Sequence, residues 1–167
     1  PFYDGDGCPT PDTDGDGFLD PADLCPEEAE NANGIADHDG CPETFEHIEV
    51  DCDFIFLLTP VTFEGRTADF AADTRQVLDE VSSVLRDTEA TAVRVEAHSD
   101  GEGSAGENFI LTQGRADAVV SYLEAAGVVV ELSASGMGEE MPIAGNATEE
   151  DRAQNRRIEF YPSGGCF

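Results

Sequence analysis

The first 44 residues of this chain cannot assemble a hydrophobic core. They hold thirteen Asp or Glu, no basic residue, many Gly and Pro, and few large apolar side chains. Burial of apolar surface cannot offset the chain entropy of such a segment, so something else must order it. The segment also repeats: Asp4-Gly5-Asp6-Gly7-Cys8-Pro9 recurs as Asp37-His38-Asp39-Gly40-Cys41-Pro42, a period of 33 residues. The sequence begins inside a copy of this pattern, so it reads as a processed or truncated piece of something longer.

From about residue 50 the pattern is that of a packed domain. Phe54-Ile55-Phe56-Leu57-Leu58 reads as a buried strand. Between Thr74 and Arg86 the residues Val77, Leu78, Val81, Val84 and Leu85 fall on one helical face. Val93, Val95 and Ala97 alternate as in a strand. A second helix is expected from about Asn108 to Ala126, with Ala116, Val119, Val120 and Leu123 as its stripe and Gly127 as its stop. Val128 to Leu132 reads as a short strand, and Ile158 and Phe160 mark a last one. The order βαβαββ implies an α+β two-layer sandwich of two helices on a sheet. The expected division is residues 1–44 and residues 45–167.

Charge and cysteine usage narrow the function. The net charge is −29, Lys is absent, and all eight basic residues are Arg. Such a surface repels phosphates, which argues against nucleic acid as a partner and makes cations the natural ligands. Cysteines stand at 8, 25, 41, 52 and 166, with no C-x-x-C pair and no His at zinc-ligand spacing. That usage favours disulfides and an oxidising compartment, the periplasm or the cell exterior. No apolar run of about 20 residues is present, so nothing here reads as a membrane-spanning helix.

The acidic segment has the spacing of a calcium loop. Asp12, Asp14, Asp16, Asp20 and Asp23 occupy loop positions 1, 3, 5, 9 and 12, with Gly17 at position 6 and the Phe18 carbonyl at position 7. Followed by Leu24-Cys25-Pro26, this stretch resembles the thrombospondin type 3 repeat, which wraps around calcium ions and is cross-linked by disulfides. The resemblance implies a calcium-bound segment over residues 1–44. In the companion half-repeat it assigns Asn31, Asn33, the Ile35 carbonyl, Asp37 and Asp39 as ligands, with Asp4 and Asp6 in the equivalent places of the incomplete first copy. Cys25 and Cys41, which lie in one repeat unit, are then expected to pair, leaving Cys8 over.

A second ordered set of motifs runs through the rest: Glu96-Ala97-His98-Ser99-Asp100-Gly101, Asn108, Leu111-Thr112, Arg115-Ala116, Gly136-Met137-Gly138, Pro142, and Asn155-Arg156-Arg157-Ile158-Glu159. Together these resemble the OmpA-like peptidoglycan-binding domain, over about residues 50–162. The resemblance implies a site for diaminopimelate of the cell-wall stem peptide, clamped by Asp100 and Arg115, with Asn108, Ser99, Asn155 and Arg156 around them. It also sets the last strand antiparallel beside the first, which would join Cys52 to Cys166. Elementary chemistry agrees with the clamp. A diaminopimelate side chain ends in an ammonium and a carboxylate, so its receptor needs a fixed anion and a fixed cation, and Asp100 and Arg115 supply them.

Catalysis is not indicated. His98, Ser99 and Asp100 are consecutive along a strand, so alternate side chains leave on opposite faces and cannot form a relay. His38 and His47, in acidic sequence, read as solvated. The reading is therefore a non-enzymatic bacterial envelope protein at the outer membrane, periplasm or cell surface, with peptidoglycan and calcium as partners. A rival is a structural subunit whose calcium segment and odd cysteine join copies into a homo-oligomeric assembly.

Overall fold

The computed structural model describes residues 11–31, 35, 38–51 and 53–167. The chain divides into two compact units, Pro1–Thr44 and Phe45–Phe167.

The described residues of the first unit form no helix or strand. Carboxylates take the place of a backbone ladder. Asp12 Oδ1 accepts from Gly15 N at 2.8 Å, Asp16 Oδ1 from Phe18 N at 2.7 Å, and Asp16 Oδ2 from Glu30 N at 3.0 Å. Short acidic side chains satisfy nearby amides in this way wherever the chain turns tightly. Gly17, at the sixth loop position, has φ +105°, a conformation that disfavours any side chain. Cys25 and Cys41 are joined as expected, with Cα atoms 5.0 Å apart. Ile35 is the one buried hydrophobic side chain among the described residues of this unit.

The second unit runs β1 (Ile48–Val50), β2 (Ile55–Leu57), α1 (Thr74–Asp87), β3 (Ala92–His98), α2 (Ala105–Ala125), β4 (Glu131–Gly138), α3 (Glu149–Asn155) and β5 (Ile158–Ser163). One sheet has the order β4-β3-β5, parallel between β3 and β4 and antiparallel between β3 and β5. The hairpin β1-β2 forms a separate two-stranded sheet. The expected stripe of α1 is fully buried at Val77, Leu78, Val81, Val84 and Leu85, as are Ala116, Val119 and Leu123 of α2 and Val93, Val95 and Ala97 of β3. The approach of α2 to β4 is set by Gly136, where a Cβ would lie 2.3 Å from the Gln113 backbone nitrogen.

The expectations need five corrections. The last strand, β5, pairs with β3 rather than lying beside the strand expected at 54–58. There are three helices rather than two. The third, α3, is short and polar and has no apolar stripe; it starts at Thr148, whose hydroxyl accepts from Asp151 N at 3.1 Å. The strand at 54–58 is not buried as a run: Ile55 is buried, but Phe54, Phe56 and Leu58 are about half exposed, and the hydrogen-bonded partner of β2 is β1. The strand expected at 128–132 lies at 131–138, because Val128 packs as the buried end of the turn after α2 and β4 is built largely of small residues. His47 is not simply solvated. Its Nδ1 lies 2.8 Å from Glu80 Oε1, and this partner raises its pKa while burial opposes. The Cys52–Cys166 bridge involves Cys52, outside the described residues, and Cys8 lies outside them too.

Candidate functional site

The site begins where β3 ends. Ala92 to Ala97 pair one for one with Glu131 to Gly136, but His98 pairs with Gly138, so β4 carries one extra residue, Met137. Such bulges re-aim the side chains that follow. His98 N then donates to Arg157 O at 2.9 Å and Ser99 N to Gly138 O at 2.8 Å, which ties the strand end to both neighbours. As a result His98, Ser99 and Asp100 are all buried, at 2%, 5% and 5% exposure, rather than alternating.

Asp100 is an anchored anion. Its Oδ2 receives Arg156 Nη1 at 2.6 Å and its Oδ1 receives Glu102 N at 3.0 Å. Burial pushes the Asp100 carboxyl up, but the Arg156 hydrogen bond and the Glu102 amide outweigh it and leave the pKa lowered. Arg156 also pairs with Glu149 of α3. Arg115, on α2, is only 7% exposed. It donates through Nε to Thr67 O at 3.0 Å and through Nη2 to Gly65 O at 2.7 Å, and its guanidinium lies over the Phe63 ring at 4.6 Å. Burial lowers its pKa, and the charges of Arg66 and Arg156 add to that effect. Arg115, Arg156, Arg157 and His98 line one cavity of about 210 Å³, closed on another side by Val61 and Phe63.

The asparagines are braces. Asn155 is fully buried and spends its amide on the 143–146 segment, accepting from Ile143 N and Ala144 N and donating to Ala144 O and Gly145 O. Asn108, also fully buried, donates to Asp100 O at 3.3 Å and to Glu139, and accepts from Arg66 Nη2 at 2.8 Å. The Ser99 hydroxyl is buried beside Asp100 with no hydrogen-bond partner. Under the site, His98 Nε2 lies 2.9 Å from Glu159 Oε2, within ion-pair distance but off the line of a hydrogen bond. The His98 contact pulls the Glu159 carboxyl down, burial opposes, and Arg157 adds to the pull, leaving it at about 2.

Comparison with known proteins accounts for this arrangement. Residues 62–156 match the model of the OmpA family. The chain belongs to the OmpA family. It is 33% identical over 150 residues to outer membrane porin F of Pseudomonas aeruginosa, covering 89% of this chain and 40% of the porin. It is 36% identical over 102 residues to the peptidoglycan-binding protein ArfA of Mycobacterium tuberculosis, covering 60% of this chain and 31% of ArfA. The chain thus spans less than half the length of both relatives. The structure of the cell wall anchor of the T6SS from Pseudomonas aeruginosa superimposes with a TM-score of 0.59 at 26% identity, over 71% of this chain and 88% of that one. The second unit therefore has the α+β fold of the OmpA family, with three helices and a mixed sheet, and the family is non-enzymatic. The protein belongs to the outer membrane and periplasm of the bacterial envelope. No helix among the described residues is long and apolar enough to cross a membrane.

Two features of the OmpA-family domain were not read from the sequence. Asp100 is held by Arg156, with Arg115 reaching backbone carbonyls, so the anion and cation of the expected clamp do not pair with each other. Arg66 joins the site wall, from a segment that carries no motif.

In the acidic unit, carboxylate oxygens of Asp12, Asp14 and Asp16 converge within 4.8 Å. Asp20 instead accepts from Thr13 N and Thr13 Oγ1, both at 2.9 Å. Asp23, 7% exposed, accepts from Cys25 N through Oδ1, while its Oδ2 is buried without a hydrogen-bond partner, as is Asp14 Oδ2. Burial raises the Asp14 carboxyl, the hydrogen bond from the Asp16 amide opposes, and the charges of Asp16, Asp23 and Asp12 add to the rise. A second convergence joins Asp39 to Glu30 and Glu43, glutamates outside the expected ligand set. Asn31 donates to Glu43 O at 2.9 Å and Ile35 is buried. Asp4, Asp6, Asn33 and Asp37 lie outside the described residues.

Proposed function

We propose that residues 45–167 grip the diaminopimelate stem of peptidoglycan without covalent bonds, and that residues 1–44 form a calcium-stiffened spacer between this grip and an envelope component. The observation that carries the reading is the buried Asp100 carboxylate, held ionised by Arg156, close to an Arg115 guanidinium that no carboxylate neutralises among the described residues. Both charges are fixed before any ligand arrives, which limits the ordering cost of binding. Asp100 accepts the ammonium and Arg115 the carboxylate of the same side chain, with the Ser99 hydroxyl as a further donor. Asn108 and Asn155 hold the surrounding segments, and Arg156 keeps Asp100 in place. The printed name of ArfA and the description of the Pseudomonas structure as a cell wall anchor support the same ligand class.

Calcium fits the acidic unit on one ground. Asp14 Oδ2 and Asp23 Oδ2 are buried acceptors without donors in a segment that contains no basic residue. A hard cation with oxygen ligands removes that mismatch. Asp12, Asp14, Asp16 and Asp23 would hold it, and a second ion would draw on Asp39 with Glu30 and Glu43.

Co-sedimentation with isolated sacculi tests the grip. Asp100→Ala or Arg115→Ala is expected to weaken binding by more than about tenfold, since loss of one partner leaves a ligand charge unpaired. The double variant should be little worse than either single one. A stem with lysine in place of diaminopimelate lacks the distal carboxylate and should bind as weakly to wild type as the normal stem binds to Arg115→Ala. Equal sedimentation of wild type and both single variants would refute the assignment.

A further inference from the structure

Arg115 does more than wait for a carboxylate. Its two backbone bonds, to Gly65 O and Thr67 O, grip the carbonyls on either side of Arg66. A turn closed by Thr67 N to Glu64 O at 3.2 Å completes the hold. The Arg66 side chain is then fixed at its far end, where Nη2 donates to Asn108 Oδ1 at 2.8 Å and Nη1 to Glu102 O at 3.1 Å. Long exposed arginines ordinarily keep their rotamer freedom; this one is exposed yet tied at backbone and tip. Both tip acceptors are neutral.

The charge accounting is unusual for so acidic a chain. Arg94, Arg152, Arg156 and Arg157 all pair with glutamate or aspartate. Arg75 and Arg86 are exposed on α1. Arg86 reaches Ser82 Oγ and Ala126 O through Nη1 alone, at 3.4 and 3.3 Å. Arg66 and Arg115 instead each make two shorter bonds through two nitrogens and no ion pair among the described residues, although their like charges oppose one another. Arg66 faces a groove of about 400 Å³ that it shares with Gly103, Glu107, Ile110 and Leu111. Glu107 accepts from Ser104 N and Ser104 Oγ through Oε2 at its own helix start; these bonds lower its carboxyl, burial opposes, and the Arg66 charge adds to the lowering without an ion pair. Gly103 leaves the guanidinium room, since a Cβ there would lie 3.1 Å from Arg66 Nη2.

Resting on the peptidoglycan reading, we infer that Arg66 is a second carboxylate anchor, and that the site selects a stem peptide carrying two free carboxylates on neighbouring residues. Arg115 takes the distal carboxylate of diaminopimelate. Arg66, fixed to the same three-residue turn, takes the α-carboxylate of the adjoining γ-linked glutamate, whose backbone lies toward the groove walled by Ile110 and Leu111. An amide at that glutamate keeps the shape but removes the charge, so amidated cell walls should be poor ligands.

Calorimetry with two synthetic stems, L-alanyl-γ-D-glutamyl-meso-diaminopimelate with the glutamate α-carboxyl free or amidated, tests this. Wild type should prefer the free acid by roughly tenfold, the scale of one charge-assisted hydrogen bond. Arg66→Gln should bind both stems with the affinity wild type has for the amide. Arg66→Lys, a point charge without the fork, should keep part of the preference. Equal binding of the two stems by wild type, or a preference retained by Arg66→Gln, overturns the inference and leaves the peptidoglycan reading standing. Loss of both stems by Arg66→Gln also overturns it, because Arg66 would then only prop Asn108. If wild type binds neither stem, the peptidoglycan reading fails and this inference with it.

Discussion

The two units of this chain solve the same problem with opposite chemistry. In the OmpA-family domain, Val77, Leu78, Val81 and Leu123 are fully buried, the buried Asp100 is paired with Arg156, and the buried Arg115 is held by backbone carbonyls. In the acidic unit the described interior holds Ile35 and the carboxylate of Asp23, and three aspartates converge with no cation from the chain to separate them. One unit is ordered by apolar burial and carries its own counter-charges. The other has a disulfide and a set of buried acceptors without donors, which on the proposed reading a cation from solution would complete. If the proposed calcium sites hold, stability in the first unit is a property of the sequence alone, while stability in the second also depends on the medium.

The sharpest way to break that contrast is to remove divalent ions. With chelator at neutral pH, residues up to about 44 should lose most of their protease protection while the OmpA-family domain keeps its melting temperature, and Asp14→Ala or Asp16→Ala should reproduce the effect without chelator. Limited proteolysis followed by mass spectrometry reads both halves at once; a segment that stays resistant in chelator would mean the disulfide alone orders it. The reverse cut is Leu78→Ala, which opens a cavity under α1 and should cost the domain about 3 kcal/mol in denaturant unfolding. The calcium midpoint for protecting the acidic unit should not move.

These contrasts also mark how far the sequence could be read. The faces of α1 and α2 were legible because five and four apolar residues recur at helical spacing in them. Helix α3 was not, because Glu149–Asn155 is polar apart from Ala153 and is defined by the Thr148 cap and by Asn155 bracing the 143–146 segment. Strand β4 was placed too early because its later residues, Ser133 to Gly138, are mostly too small to show alternation. In the site, Asp100, Arg115 and Arg156 were legible from a motif, but which arginine pairs with Asp100 is settled by packing between β3 and the end of α3. Arg66 was invisible because its partner Asn108 is 42 residues away. Glu30 and Glu43 were missed in the same way, as they reach Asp39 only after the chain folds back.

A smaller effect separates the roles of cross-link and cation. Removing the bridge with Cys25→Ser and Cys41→Ser, across a sequence separation of 16, should cost the acidic unit roughly 3 kcal/mol by chain entropy. The expected readout is a higher calcium midpoint for protease protection, with the OmpA-family domain unaffected. An unchanged midpoint would assign the whole of the order to the metal.

The smallest effect, and the most diagnostic in sign, is pH. Glu159 titrates at about 2 in the folded domain, below its ordinary 4.5, and Asp100 is lowered as well. Their contribution is present above the unfolded pKa and is lost as pH falls from about 4.5 toward 2. Asp14 is raised, so in chelator its contribution runs the other way: the folded form binds the proton more tightly, and mild acid should favour the compact acidic unit. Hydrogen exchange at pH 4 and pH 6 in chelator should show protection rising in one half and falling in the other as pH drops. Parallel trends in both halves would contradict the division.

The extra residue in β4 has a consequence for how this site tolerates change in length. Met137 lets β3 and β4 step past one another by a single position, and Gly138 and Glu139 then face the start of α2, where Glu139 meets Asn108. Deleting Met137 would leave His98 opposite Gly138 in unbroken pairing, yet the local bend and added twist that aim Gly138 and Glu139 at α2 would be lost. The binding site is thus written partly as a count rather than as an alphabet. A variant could keep Asp100, Arg115 and Arg156 and still lose their arrangement by the removal of one methionine.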